Sequence, residues 1–320
     1  MTNERPLRLA VAQIAPVVFD RELTLAKVEA RVREAAVEGA DLVCFGEALV
    51  PGYPFWTERI GGAQFDGAVS KELYALYVDQ AVDLGAGHLD VLCELARAGS
   101  IAVSISLIER SKARGLSLFC SSIYIDKGGQ VCSVHRKLVP TFEERLTWAA
   151  GDGHGLRVHE LAGFRVGALN CWENWMPLAR ASLYAQGETL HVMHWPGSLR
   201  NTASTTQFIA LEGRSYTVSV SGLIRAEDVP LDIPHRELFV PTAGEMISDG
   251  GSCVADPRGD WVLEPQVGVE SLRLCELDPG MVRRERQNFD PAGHYARPDV
   301  LRLEVDRTRQ TLARFKEVGD

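Results

Sequence analysis

Three residues capable of covalent chemistry follow apolar, strand-like runs. Glu47 closes Asp41–Glu47 (DLVCFGE), Lys137 follows the run Gln130–His135, and Cys171 follows Arg165–Asn170 (RVGALN). Taken singly each type is ordinary, since strand-end carboxylates and amines are commonly solvated and cysteine packs as a small hydrophobe. Together they supply a thiol nucleophile, a base to take its proton and a cation to hold negative charge. Loops gather at strand ends, which is where such a set would assemble. Cys171 precedes Trp172-Glu173-Asn174-Trp175-Met176-Pro177, and proline suits the first turn of a helix. This order predicts a strand-to-helix elbow at the positive end of a helix dipole, where a thiol pKa falls below its usual ~8.5. A nearby ammonium at Lys137 would lower it further.

The elements that must position these groups are readable from periodicity. Leu7–Ile14 reads as a buried strand. Leu25, Val28, Val32, Ala35 and Ala36 repeat at helical spacing in a segment that ends at Gly39. Leu73 to Leu95 is helical in pattern with an interruption around Gly85–Gly87. Ile101–Ile108, Ser122–Ile125 and Gln130–His135 read as strands, and 137–155 as a long irregular connection. Beyond Cys171, Met176–Ala185 and Ala203–Gly213 read as helices, and Leu190–Met193 and Tyr216–Gly222 as strands. Asp249–Gly251 reads as a Gly-rich turn, followed by strands near Cys253 and at Leu272–Leu277. Strand and helix alternate with no linker and no repeat, which predicts one layered α/β domain with doubly buried strands. Residues 1–280 form that domain, and 281–320 form a charged C-terminal tail packed on it or on a partner subunit.

Composition narrows the function class. The 320 residues are 46% apolar and 24% charged, a globular usage that argues against disorder. A net charge of −9 leaves no overall basic footprint for nucleic acid. No apolar run approaches the ~18 residues of a membrane span, and no secretory leader is apparent. Seven cysteines, an odd number without CxxC spacing, argue against a disulfide framework or a zinc ribbon. The expectation is a reduced, cytoplasmic protein.

Other motifs receive plainer readings. His191 and His194 would face opposite sides of a strand and have no third ligand nearby, so no metal site is expected. The run Gly151–Gly155 (GDGHG) lacks the context of a phosphate loop and reads as a flexible loop near the site. Arg283, Arg284 and Arg286 read as a solvated surface or a subunit contact. The aromatic residues Tyr53, Phe55, Trp56, Trp148, Trp172 and Trp195 lie near the reactive segments, as an apolar pocket would require. Tyr53, Trp172, His194 and Trp195 are the substrate-binding candidates.

The segments FGEALVPGYPFW, HRKLVPTFEERLTWAAGDG and GALNCWENWMPLARASLYAQG resemble the three signature segments of the nitrilase superfamily of carbon–nitrogen hydrolases, and within it the nitrilase branch. The resemblance runs from LRLAVAQIAP to FDPAGHYARPDV, nearly the whole chain. It implies a four-layer α-β-β-α sandwich, with Glu47 as general base, Lys137 as catalytic lysine, Cys171 as nucleophile and Glu144 as a second glutamate supporting the lysine. It implies hydrolysis of an organic nitrile to acid and ammonia through a cysteine thioimidate and an acyl-enzyme, without metal or organic cofactor. Amidase or N-carbamoyl hydrolase chemistry by the same residues is the alternative. Family members pair helix to helix, so a homodimer or larger homo-oligomer is expected. The chain ends soon after GHYARPDV, where many nitrilases continue.

Overall fold

The structure, a computed structural model, describes residues 5–313. The first half of the chain forms β1 (Leu7–Gln13), α1 (Arg21–Val37), β2 (Leu42–Phe45), α2 (Trp56–Arg59), α3 (Ala68–Gln80), α4 (Asp90–Gly99), β3 (Ala102–Arg110), β4 (Leu118–Ile125) and β5 (Val131–Arg136). The second half forms β6 (His159–Leu161), β7 (Phe164–Asn170), α5 (Pro177–Tyr184), β8 (Leu190–Trp195), α6 (Leu199–Gly213), β9 (Tyr216–Ser221), β10 (Leu223–Arg225), α7 (Arg236–Phe239), β11 (Met246–Ala255), β12 (Trp261–Val267), β13 (Ser271–Leu277) and α8 (Pro279–Glu285).

Two sheets result. One has the order β13-β1-β2-β3-β4-β5, parallel through β1, β2 and β3 and antiparallel elsewhere. The other has the order β10-β11-β9-β8-β7-β6 with β12 beside β11, parallel through β7, β8 and β9. Side chains alternate across each pleat. Leu7, Leu9 and Val11 therefore meet Val166, Val192 and Val218 between the sheets. Ala10 and Ala12 face the other way, with Val28 and Val32 of α1 and Leu92 and Ala96 of α4. On the outer face of the second sheet, Leu169 packs with Ala179 and Leu183 of α5, and Met193 and Trp195 with Ile209 of α6. Helix, sheet, sheet and helix are thus stacked in four layers.

The elements differ from the sequence reading where local composition misleads. Gly250 and Gly251 lie inside β11, not in a turn; both have positive φ, and the pairing of β11 with β12 shifts register there. The two glycines make bulges possible where a side chain would strain the backbone. The run Gly151–Gly155 is not a loose loop either. A Cβ at Gly151 would strike the Arg136 carbonyl, and one at Gly155 the His135 backbone, so the segment is pressed against β5. The expected tail boundary at 280 falls within α8, whose Val282 is buried in the inter-sheet core. Further on, Arg309 and Gln310 bond to Asp152, and Arg309 also to the Val134 carbonyl, fastening the tail across the end of β5.

Candidate active site

The ends of β2 and β5 in one sheet and of β7 in the other each deliver one candidate group. Glu47 follows β2 by two residues. Its backbone N–H donates to the Trp195 carbonyl at the end of β8, and Gly222 N–H donates to the same oxygen. This close approach needs a residue without a side chain before Glu47: a Cβ on Gly46 would come within 3.0 Å of Gly222 N and 3.2 Å of the Trp195 carbonyl oxygen. Lys137 follows β5 directly, and its N–H donates to the Cys120 carbonyl of β4. Cys171 follows β7 with φ of +45°, a left-handed conformation costly for a non-glycine residue.

The three side chains meet in a buried centre. Lys137 Nζ donates to Glu47 Oε1 at 2.9 Å and to Glu144 Oε2 at 2.7 Å, and lies 5.5 Å from the Trp148 ring centroid. Cys171 Sγ and one carboxylate oxygen each of Glu47 and Glu144 all lie within 4.8 Å of one another. All four side chains are buried. Glu144 is aimed by its own turn, since its Oε2 also accepts from Thr141 N–H, and by the Tyr53 hydroxyl, which donates to its Oε1 at 3.0 Å. Glu47 Oε1 additionally accepts the Cys120 thiol at 3.6 Å, whereas its Oε2 is buried without a partner and is the free acceptor of the centre. Two carboxylates and a thiol are metal-ligand types, but the Lys137 ammonium already bonds to both carboxylates.

Burial sets the electrostatics. Desolvation raises the Glu47 carboxyl above its usual range; Lys137 opposes this and Glu144 adds to it. Desolvation would lower the Lys137 ammonium, but Glu47, Cys171 and Glu144 hold it well above its ordinary value, so it stays charged. The Cys171 thiol is pushed up by desolvation and by Glu47, against the pull of Lys137 and of the Trp172 N–H. This corrects the expectation of a depressed thiol. The segment Cys171–Trp175 is a 3₁₀ turn, and α5 starts only at Pro177, so no α-helix dipole ends at the sulfur. Burial therefore favours Cys171 as a thiol beside the Glu47 carboxyl group.

The substrate-binding candidates divide. Tyr53 and Phe55 line a cavity of about 350 Å³ beside the centre, together with Glu58, Glu143, Arg200 and Asn201. The wall of this cavity is mixed in polarity. Trp172 is 47% exposed and leans on Trp175 at 6.3 Å, outside that wall. Trp195 is buried behind Cys171, its indole N–H donating to Ser219 Oγ; its neighbours Pro196 and Gly197, not its ring, reach the cavity. His194 is sealed between the sheets. Its Nδ1–H donates to the Phe45 carbonyl at 2.6 Å and its Nε2 accepts from the Ser104 and Ser122 hydroxyls, so the ring ties β8 to β2 just before Glu47. Burial lowers its pKa to about 4, which keeps the ring neutral. Of the others, Trp56 packs with Phe19 and Tyr77 in the core. His191 is held by Glu188 and Asn174, leaving neither histidine a nitrogen for a metal.

Sequence reading gives no role to two neighbours of Cys171. Glu173 is buried and accepts from Leu138 N–H, Asn170 N–H and His135 Nε2. Asn174 donates to the Cys171 carbonyl at 2.8 Å and accepts from His191. Both lie in the segment that follows the reactive cysteine, and their polarity inside an otherwise apolar element was the available signal.

Comparison with known proteins agrees with this geometry. Residues 8–287 match the carbon–nitrogen hydrolase family, and the chain belongs to it. Within the family it falls in the nitrilase branch. It is 34% identical to "Nitrilase 2" of an unknown prokaryotic organism, over 98% of this chain and 96% of that protein. It is 35% identical to an aliphatic nitrilase of Sinorhizobium fredii (strain HH103), over 93% of this chain and 95% of the other. Among solved structures, an amidase from a Nesterenkonia species shares the fold with a TM-score of 0.64 at 17% identity, over 89% of this chain and 95% of that one.

The raised thiol makes a testable prediction. Iodoacetamide labelling of Cys171, followed by peptide mass spectrometry, should keep accelerating with pH beyond the free-thiol value of ~8.5. Glu47→Gln removes an adjacent negative charge and should move that midpoint downward. A wild-type midpoint at or below the free-thiol value contradicts the assignment.

Proposed function

We propose that the chain is a nitrilase that hydrolyses an organic nitrile to the carboxylic acid and ammonia. The observation that carries the covalent chemistry is the sulfur of Cys171 beside two carboxylates joined by one buried ammonium. The likeness to nitrilases along nearly the whole chain favours the nitrile over the amide. The weakly electrophilic nitrile carbon calls for a soft, strong nucleophile. Glu47, through its unpartnered oxygen, takes the thiol proton as sulfur bonds to carbon and passes it to the nitrile nitrogen, which gives a thioimidate and leaves Glu47 a carboxylate again. The Lys137 ammonium and the Trp172 N–H stabilise charge on that nitrogen, a contribution of ~2.7–4 kcal/mol per donor in comparable oxyanion sites. Glu47 then takes a proton from water as the water oxygen bonds to carbon. Glu47 hands that proton to the nitrogen, the proton of the new hydroxyl follows as the C–N bond breaks, ammonia leaves and a thioester remains. A second water, activated in the same way, adds to the carbonyl; the C–S bond breaks and the acid departs as the thiol is re-formed. Glu144 keeps the ammonium in place throughout, and Tyr53 keeps Glu144 in place.

We place the protein in the cytoplasm. All seven cysteines are free, which suits a reducing compartment, and among the described residues no helix is long and apolar enough to cross a membrane. A second copy is the proposed partner. Trp172, Trp175 and Phe208 form an exposed aromatic face, with Trp175 stacked on Phe208 at 6.5 Å, of the kind that subunit contacts cover. Sedimentation velocity should give a species of at least twice the 35.2 kDa chain, and Trp175→Glu should shift it to the monomer. A wild-type monomer contradicts this part of the reading.

An ammonia-release assay with matched nitrile, amide and ureido substrates decides the reaction. The nitrile should yield acid and ammonia, and Cys171→Ala should remain folded with no measurable turnover. Turnover of the amide or ureido compound without the nitrile would assign amidase or carbamoyl hydrolase chemistry instead. Silence on all three would refute a hydrolytic role.

A further inference from the structure

Lys137 and Cys171 come from different sheets: Lys137 follows β5 at the edge of the first, and Cys171 follows β7 inside the second. Their separation is therefore not set by strand pairing, which fixes distances only within a sheet. It depends on how the sheets sit on each other, and apolar packing between sheets is non-directional. A polar cross-tie at the point of reaction would remove that freedom.

We propose that Glu173 is this cross-tie, a positioning residue that fixes the ammonium of Lys137 against the sulfur of Cys171. Its Oε1 accepts from the N–H of Leu138, the residue after Lys137, at 2.6 Å. Its Oε2 accepts from the N–H of Asn170, the residue before Cys171, at 3.0 Å. One rigid carboxylate thereby spans the two backbones that carry the reacting groups. The His135 ring closes the arrangement, with Nε2 3.1 Å from both oxygens, so the carboxylate cannot swing away from either N–H. Glu173 is 1% exposed and His135 2%, so no water competes for these bonds. A carboxylate is the group the geometry demands, because it accepts on both oxygens. A glutamine of the same length presents one acceptor and one donor, and its NH₂ would face a backbone N–H. Glu173 touches neither Lys137 Nζ nor the sulfur in any hydrogen bond, which separates its role from theirs.

The inference uses the nitrilase reading only for the choice of substrate, and the test includes a readout that needs no turnover. Wild type and Glu173→Gln are compared for kcat and KM on a nitrile that the wild type hydrolyses, for iodoacetamide labelling of Cys171 at fixed pH, and for thermal unfolding. In the folded variant, kcat should fall about 100-fold, the scale of a 1 Å misplacement, with KM within about threefold. Labelling of Cys171 should slow, because a displaced ammonium no longer favours the thiolate. Unchanged kcat and labelling in the folded variant would overturn the proposal, as would a kcat loss that only tracks the unfolded fraction. Should Glu173→Gln fail to fold, His135→Ala takes its place, since it leaves both backbone bonds and removes only the lock. A fall of about tenfold in kcat at unchanged KM then supports the cross-tie, an intermediate loss on the same scale, and unchanged kcat refutes it. If wild type hydrolyses no nitrile, the labelling rates alone decide the cross-tie.

Discussion

The structure turns on one buried ammonium. Lys137 is 1% exposed and bonds to Glu47 and Glu144, which are equally hidden. Removing three ionisable groups from water costs several kcal/mol per ion, and their mutual attraction repays this only when the geometry is tight and other hydrogen bonds complete the set. Apolar residues of the same volume would serve stability as well or better. A lysine held between two glutamates beside a thiol is therefore an arrangement whose value lies in chemistry.

The surrounding fold reads as the means of holding that arrangement. The end of β2 is fixed by the His194 ring and by the contact at Gly46, the end of β5 by the tail and the pressed glycine loop, and the elbow at Cys171 by Asn174 and Glu173. Each support is a hydrogen bond or close contact between parts of the chain that apolar packing alone would leave free to slide. The cost is visible in the positive φ of Cys171 and in the unpartnered oxygen of Glu47. Both departures from local preference lie where a reaction would use them.

Much of this was legible in the sequence. The alternation of apolar runs and amphipathic segments specified the layered α/β domain, and strand ends carrying Glu47, Lys137 and Cys171 specified where chemistry would gather. What escaped reading depended on depth and on contacts between sheets. An elbow before a proline suggests a dipole-stabilised thiolate, but only the packing shows that the sulfur is buried behind a 3₁₀ turn, where desolvation prevails. The alternation of β8 puts His194 and Trp195 on opposite faces, yet nothing local says that the first faces the other sheet and the second packs under α6. Gly250 and Gly251 look like a turn because bulges and turns need the same backbone freedom. The polarity of Glu173 marks it as unusual but does not name its partners, since two of its donors, His135 and Leu138, lie over thirty residues away.

The central claim is that this buried triad makes Cys171 the atom that bonds to substrate. Protein quenched in acid during turnover of a nitrile, digested with trypsin and mapped by mass spectrometry tests it most directly. The covalent acyl or imidate adduct is expected on the peptide 166–180, at Cys171. An adduct confined to Cys44, Cys253 or another thiol, with Cys171 unmodified, would contradict it.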